Sequence, residues 1–267
     1  MRALKEDLGT GDLTANLIDV TSYSEARLIC RESAVLCGVA WFERTCEIVD
    51  DSLILSWHHQ DSDLLDPESL VCTLSGKSRS ILTAERTAIN FLQTLSGTAT
   101  ITRDYVHQLE GTNTHVLDTR KTLLGMRLAQ KYAVAIGGGQ NHRIGLFDGI
   151  LIKENHIAAA GSIHAAVTRA REYAGDGLLL EVEVESMSQL DEAIEAGVTR
   201  IMLDNFDLEM MKEAVEVNNG FADLEVSGNV ELSKMRSIAD TGVDYISVGA
   251  LTKHVRAIDF SLRMTNI

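Results

Sequence analysis

The sequence predicts an α/β protein: an incomplete barrel of about six or seven parallel strands, preceded by a smaller α+β domain. Three observations carry this. In the second half, apolar strand-like runs alternate with stretches whose apolar residues recur at three- and four-residue steps, the pattern of parallel βα units. The strand ends Glu183, Asp204, Ser227 and Ser247 lie 21, 23 and 20 residues apart, the length of one βα repeat. And a single proline in 267 residues lets helices and strands follow one another without breakers, which excludes fibrous, disordered and linker-rich classes.

The elements follow in order. Residues 1–96 read as the α+β domain, 97–252 as the barrel, with 253–267 returning to the first domain. In the first, Ala26 to Cys30, Ala34 to Cys37 and Leu53 to Trp57 read as strands, and Cys37 to Val49 and Leu82 to Leu95 as helices. Asp259 to Arg263 is the candidate returning strand. A helical run from Leu123 to Ile136 stops at three glycines, Gly137 to Gly139. Strands are expected at Thr114 to Asp118, Gly149 to Lys153, Leu178 to Val184, Arg200 to Asp204, Leu224 to Ser227 and Tyr245 to Val248, with His142 to Gly145 as a seventh. Helices are expected at Ile163 to Tyr173, Ser188 to Ala196, Leu208 to Val217 and Glu231 to Thr241. A standard barrel closes with eight strands, so this one stays open.

Charge narrows the function. With 24 basic and 39 acidic residues, net −15, the chain has no general attraction to nucleic acid or an anionic membrane. No apolar stretch approaches the ~20 residues of a membrane span, and the N-terminus lacks an apolar signal core. Cys30, Cys37, Cys46 and Cys72 show neither CxxC nor metal spacing. They are expected as reduced, buried thiols of a cytoplasmic protein.

One window reverses the global charge. Between Leu117 and His156, Arg120, Lys121, Arg127, Lys131, Arg143 and Lys153 face only Asp118, Asp148 and Glu154, a net +3. If the strands are parallel neighbours, these cations meet at the carboxyl rim, where such folds place their chemistry, and they then call for a bound anion. A solvated basic surface with pairs such as Asp118 and Arg120 is the alternative. Glu183 and Asp204 end successive apolar strands, where a carboxylate needs a reason. They can grip sugar hydroxyls, hold Mg²⁺ through water or face a developing positive charge; an N-cap and a structural ion pair are the plainer readings. Glu181 and Glu185 share a face with Glu183, and the sequence does not say which acid works. Ser227-Gly228-Asn229 and Ser247-Val248-Gly249-Ala250 open βα turns with small residues suited to phosphate.

These segments form an ordered set. Glu85-Arg86-Thr87-Ala88, Asp118-Thr119-Arg120-Lys121-Thr122, Asn141-His142-Arg143, Leu151 to His156, Leu203-Asp204-Asn205-Phe206 and Ser227-Gly228-Asn229 closely resemble the quinolinate phosphoribosyltransferase family. The resemblance covers essentially the whole chain, from Glu6-Asp7-Leu8-Gly9 to Asp259-Phe260-Ser261. It implies an N-terminal α+β sandwich domain, an open α/β barrel and a homodimer, or a multiple of dimers, with shared active sites. It implies nicotinate mononucleotide, CO₂ and pyrophosphate made from quinolinate and phosphoribosyl pyrophosphate with Mg²⁺, in NAD biosynthesis. Arg86, Thr119, Arg120, Lys121, His142, Arg143 and Lys153 would hold carboxylates or phosphates, with Arg86 reaching the partner subunit's pocket. Glu183 and Asp204 would hold the ribose and, indirectly, the metal-bound pyrophosphate; with Lys121 they are the expected catalytic residues. Ser227, Gly228, Asn229, Ser247, Val248, Gly249 and Ala250 would take the 5′-phosphate side. Leu124 stands where the family often has proline, and the chain begins close to the Glu-Asp-Leu-Gly motif, where relatives carry another helix.

Three rivals are distinguishable. A molybdenum-transport-associated paralogue shares the fold, but the complete cation set argues against it. A Schiff-base lyase would use Lys153 as its amine. A non-catalytic binding protein leaves the convergent cations unexplained.

Overall fold

A computed structural model describes residues 1–174, 177–228 and 230–266. They form two compact units, 1–101 with 254–267, and 102–253. The division expected from sequence, at 96/97 and 252/253, falls a few residues earlier.

The first unit opens with α1 (Arg2–Leu8), followed by β1 (Tyr23–Cys30), β2 (Ala34–Val35), α2 (Val39–Val49), β3 (Ile54–Trp57), β4 (Leu64–Leu65), β5 (Ser69–Lys77) and α3 (Ser78–His107). The second unit runs through β6 (His115–Leu117), α4 (Arg127–Ile136), β7 (Gly149–Ile152), α5 (Glu154–Ala160), α6 (Ile163–Ala174), β8 (Leu179–Val184), α7 (Met187–Glu195), β9 (Arg200–Asp204), α8 (Leu208–Asn218), β10 (Asp223–Ser227), α9 (Met235–Ala239), β11 (Tyr245–Ser247) and α10 (Ala250–Lys253). The chain then returns to the first unit as β12 (Phe260–Asn266).

In the first unit an antiparallel sheet has the order β12-β1-β5-β3, with Arg27 opposite Arg263 and Thr73. Its core gathers Leu28, Phe42, Leu74, Ile81 and Leu92, all fully buried or nearly so. Phe42 meets Trp57 edge to face with ring centres 5.5 Å apart. The strand expected over Ala34 to Cys37 shortens to two residues, because the Leu36 and Cys37 amides donate instead to the Asp63 carbonyl and the Ser96 hydroxyl. β5, central to the sheet, has no counterpart in the sequence reading; Ser69, Thr73, Ser75 and Gly76 mask its apolar alternation. The helix expected over Leu82 to Leu95 extends to 30 residues. Gly97 sits inside it without ending it, since a Cβ there would lie 2.1 Å from the Arg256 carbonyl oxygen. All four cysteines are free and buried.

The second unit is a six-stranded parallel sheet in the order β6-β11-β10-β9-β8-β7. The first strand joins the last, as barrel staves do, but among the described residues β6 and β7 do not pair, so the sheet stays open. The seventh strand expected at His142 to Gly145 does not form. Side chains take its backbone groups instead: Asp118 accepts from the His142 amide, Lys131 donates to the His142 carbonyl, and Asp148 accepts from the Ile144 and Gly145 amides. Only Gln140 bridges to Leu117. The helix expected from Leu123 begins at Arg127, because the Leu123 amide donates to Gln130 Oε1. The helix expected over Glu231 to Thr241 is a 3-10 turn, Leu232–Lys234, followed by α9.

Strand alternation sorts the sheet's two faces. Val182, Val184, Ile201, Leu203, Leu224, Val226 and Ile246 share one face and are buried. The other face carries Glu181, Glu183, Arg200, Met202, Asp204, Glu225, Ser227, Tyr245 and Ser247. This second face holds the chemistry. Among the described residues no helix is long and apolar enough to cross a membrane.

Candidate active site

A cavity of about 340 Å³ opens at the carboxyl ends of these strands. Thr119, Arg120, Lys121, His142, Arg143, Leu151, Lys153, Glu183, Met202, Ser227 and Ser247 line it. Nine of these eleven residues lie just after a strand or on a strand's polar face, as βα topology requires, and His142 and Arg143 come from the segment that precedes β7.

The cations converge. Arg120 and Lys121 follow β6 on a loop that is tied down from behind: the Lys121 carbonyl accepts from the Thr252 hydroxyl at 2.8 Å, and the Lys121 amide donates to Thr119 Oγ1 at 3.1 Å. Gly249 packs against this loop: a Cβ there would lie 3.1 Å from the Lys121 side chain, which would have to shift. Arg143 donates to the Gly149 carbonyl at 3.0 Å. Burial, and then the Arg120 charge, push the Arg143 pKa below its ordinary value. Lys153 pairs with Glu183, the one carboxylate of the wall. Burial raises the Glu183 pKa against the pull of Lys153, and the nearby Asp204 charge raises it further.

Two cations of the basic window do other work. Lys131 is buried and pairs with Asp118, which is wholly buried; the expected surface pair of Asp118 with Arg120 is not the arrangement found. Arg127 braces the loops, donating to Thr122, the Arg120 carbonyl and the Ile144 carbonyl.

The remaining expected residues separate. Asp204, at the end of β9, accepts from the Asn205 side chain at 2.8 Å and is not among the cavity walls. Gly228 lines a neighbouring cavity that shares Ser227 with the first. Val248 is buried, its amide donating to the Leu117 carbonyl, and Ala250 begins α10. Asn229 lies outside the described residues. Arg86 is exposed on α3 in the first unit.

The sequence reading missed a buried network beneath the cavity. Glu181 Oε2 accepts from His142 Nε2 at 2.8 Å, and Glu225 Oε2 accepts from Arg200 Nη2 at 2.8 Å. The Ser247 hydroxyl donates to Glu225 Oε1. Burial lowers the His142 pKa, but the Glu181 hydrogen bond and the Glu225 and Glu181 charges outweigh it and hold the group above its ordinary value. Burial and the Glu181 charge push Glu225 up to about 7. The signal was present: a glutamate inside each of two apolar runs, Leu179 to Val184 and Leu224 to Ser227.

Comparison with known proteins agrees with this arrangement. The family model for the quinolinate phosphoribosyl transferase C-terminal domain matches residues 98–263, and that for the N-terminal domain matches residues 12–96. A probable nicotinate-nucleotide pyrophosphorylase [carboxylating] of Bacillus subtilis is 40% identical over 97% of this chain and 90% of its own length. A quinolinate phosphoribosyltransferase [decarboxylating] of Nicotiana tabacum is 40% identical over 98% of this chain and 80% of its own. The crystal structure of a nicotinate-nucleotide pyrophosphorylase from Francisella tularensis superposes with a TM-score of 0.96 at 47% identity, covering 99% of this chain and 94% of that one.

Proposed function

The chain belongs to the quinolinate phosphoribosyltransferase family, and from that premise we propose a reading of its site. It is a decarboxylating phosphoribosyltransferase of NAD biosynthesis: quinolinate and phosphoribosyl pyrophosphate give nicotinate mononucleotide, CO₂ and pyrophosphate. The observation that carries this is the meeting of Arg120, Lys121, Arg143 and Lys153 in one cavity of an otherwise acidic protein. A dicarboxylate beside a phosphorylated sugar is the chemistry such a cluster accommodates.

Arg120, Arg143 and Lys153 hold the two carboxylates and orient the ring nitrogen, with the His142 ring beside them holding the Arg143 backbone. That nitrogen forms a bond to the anomeric carbon as the carbon–pyrophosphate oxygen bond breaks. Positive charge builds on the sugar at that moment, and Glu183 and Asp204 are the carboxylates assigned to stabilise it. Lys121 and Thr119 take phosphate oxygens. Ser227, Gly228, Asn229 and Ser247 to Ala250 take the 5′-phosphate side. Loss of the 2-carboxylate as CO₂ leaves an electron pair on the ring carbon, which then takes a proton.

The acids also fit Mg²⁺. Glu183 and Asp204 stand at the ends of neighbouring strands, and such hard carboxylate oxygens suit a divalent cation held indirectly, through the substrate's pyrophosphate. Bound there with the pyrophosphate, Mg²⁺ would neutralise leaving-group charge. The protein works as a homodimer in which Arg86 completes the partner's pocket, and it resides in the cytoplasm, consistent with four reduced cysteines. Lys153 is tied to Glu183 rather than presented as a free amine, which disfavours a Schiff-base reading.

The direct test supplies both substrates and Mg²⁺ and follows nicotinate mononucleotide. Turnover that Arg143→Ala and Lys153→Ala each abolish supports the assignment; a wild-type protein that makes no product overturns it.

A further inference from the structure

Beneath the cavity lies a closed set of charges that the steps above do not use. Glu181, Arg200, Glu225 and Tyr245 come from four adjacent strands and share the sheet's polar face. Neither carboxylate has any exposed surface. The Arg200 guanidinium lies over the Tyr245 ring, 3.6 Å from its centre, and also reaches Asp223 at 3.6 Å and Glu181 at 3.7 Å. Glu225 has three partners: Arg200, the Ser247 hydroxyl, and the His142 ring, whose Nε2 is 3.6 Å away.

Two of those partners, Ser247 and His142, are cavity walls. They stand on opposite halves of the proposed site, the phosphoribosyl side and the pyridine side. His142 also transmits its orientation, because Nδ1 accepts the amide of Arg143 at 2.7 Å. With Nδ1 accepting, the ring proton sits on Nε2 and points at Glu181. A ring that turned would release the Arg143 backbone as well. Buried ion clusters of this kind are weak sources of stability compared with apolar packing. Their value lies in fixing geometry.

We propose that Glu225 is a positioning residue of this reaction: one buried carboxylate grips Ser247 and, together with Glu181, the His142 ring, and so fixes the spacing of the two half-sites. The inference rests on the functional reading above. A misplacement of about 1 Å in such a site costs on the order of 100-fold in rate.

The test uses Glu225→Gln, His142→Ala and the double variant, each checked for native folding by thermal melting. Steady-state kinetics are joined by titrations with quinolinate and, separately, phosphoribosyl pyrophosphate. Glu225→Gln is expected to lower kcat/KM about tenfold or more and to weaken both ligands. In the His142→Ala background its effect on quinolinate should vanish, while its effect on phosphoribosyl pyrophosphate, carried by Ser247 on the 5′-phosphate side, should remain. Unchanged binding of both ligands, or an effect on quinolinate that simply adds to that of His142→Ala, would overturn the proposal. If Glu225→Gln does not fold, the ring ¹⁵N spectrum of the wild-type protein decides, with His142 assigned through His142→Ala. At a pH where the ring is neutral, an Nε2–H tautomer supports the clamp, and a mixture of tautomers refutes it. Absence of turnover in the wild type would instead strike the functional reading, and the titrations and the spectrum would still judge Glu225.

Discussion

Glu225 holds its proton to about pH 7 in the folded chain, against an ordinary value of 4.5, because burial and the Glu181 charge disfavour its ionised form. Between those values the folded state binds more protons than the unfolded one, so this group makes stability fall as pH rises. His142, also raised, acts in the same direction above its ordinary value. Glu225→Gln has no such proton to lose. Its melting temperature should therefore gain on that of the wild type between pH 5 and pH 7.5, and a gap independent of pH would return Glu225 to ordinary ionisation. The acids of the rim behave differently. Glu183→Ala and Asp204→Ala should weaken phosphoribosyl pyrophosphate more than quinolinate in calorimetric titrations; the reverse order would mean that the halves of the site are exchanged. Residue types alone revealed the basic cluster and Glu183. They did not reveal that Lys131 and Arg127 brace loops, because a charge count cannot separate a cation facing a ligand from one facing a buried aspartate.

At the scale of elements, the βα spacing was legible because the parallel strands carry buried apolar residues and several of them end on a polar one at a regular interval. Arg200–Asp204 is such a strand, and its expected bounds hold. β5 was not legible, since a half-exposed antiparallel strand with serine and threonine on one face lacks that contrast. The segment from His142 to Gly145 was misread for another reason. It reads as a strand, but Ile144 is exposed, and the backbone is held by Asp118, Lys131 and Asp148. The Asp118–Lys131 pair therefore shapes the loop that presents His142 and Arg143. Asp118→Ala leaves a buried ammonium without its partner and should cost about 3–5 kcal/mol by denaturant unfolding. A loss below 1 kcal/mol would show that the pair is not structural.

For the whole molecule, the resemblance legible in the motifs extends across both units, and the two family models match them in turn. What a single chain leaves to solution is the assignment of Arg86 to a partner's pocket. Arg86→Ala and Lys153→Ala should each be nearly inactive alone. Denatured together and refolded, half the dimers would carry one intact site of two, and activity should return to about a quarter of wild type if sites are independent. No recovery, with mixed dimers confirmed by mass, would place both residues in one subunit's site. The central claim is that the converging cations select a dicarboxylate, because a monocarboxylate leaves part of the cluster unpaired. The most direct measurement compares kcat/KM for quinolinate and nicotinate with phosphoribosyl pyrophosphate and Mg²⁺. A strong preference for quinolinate is expected; equal values for the two acids would contradict the account.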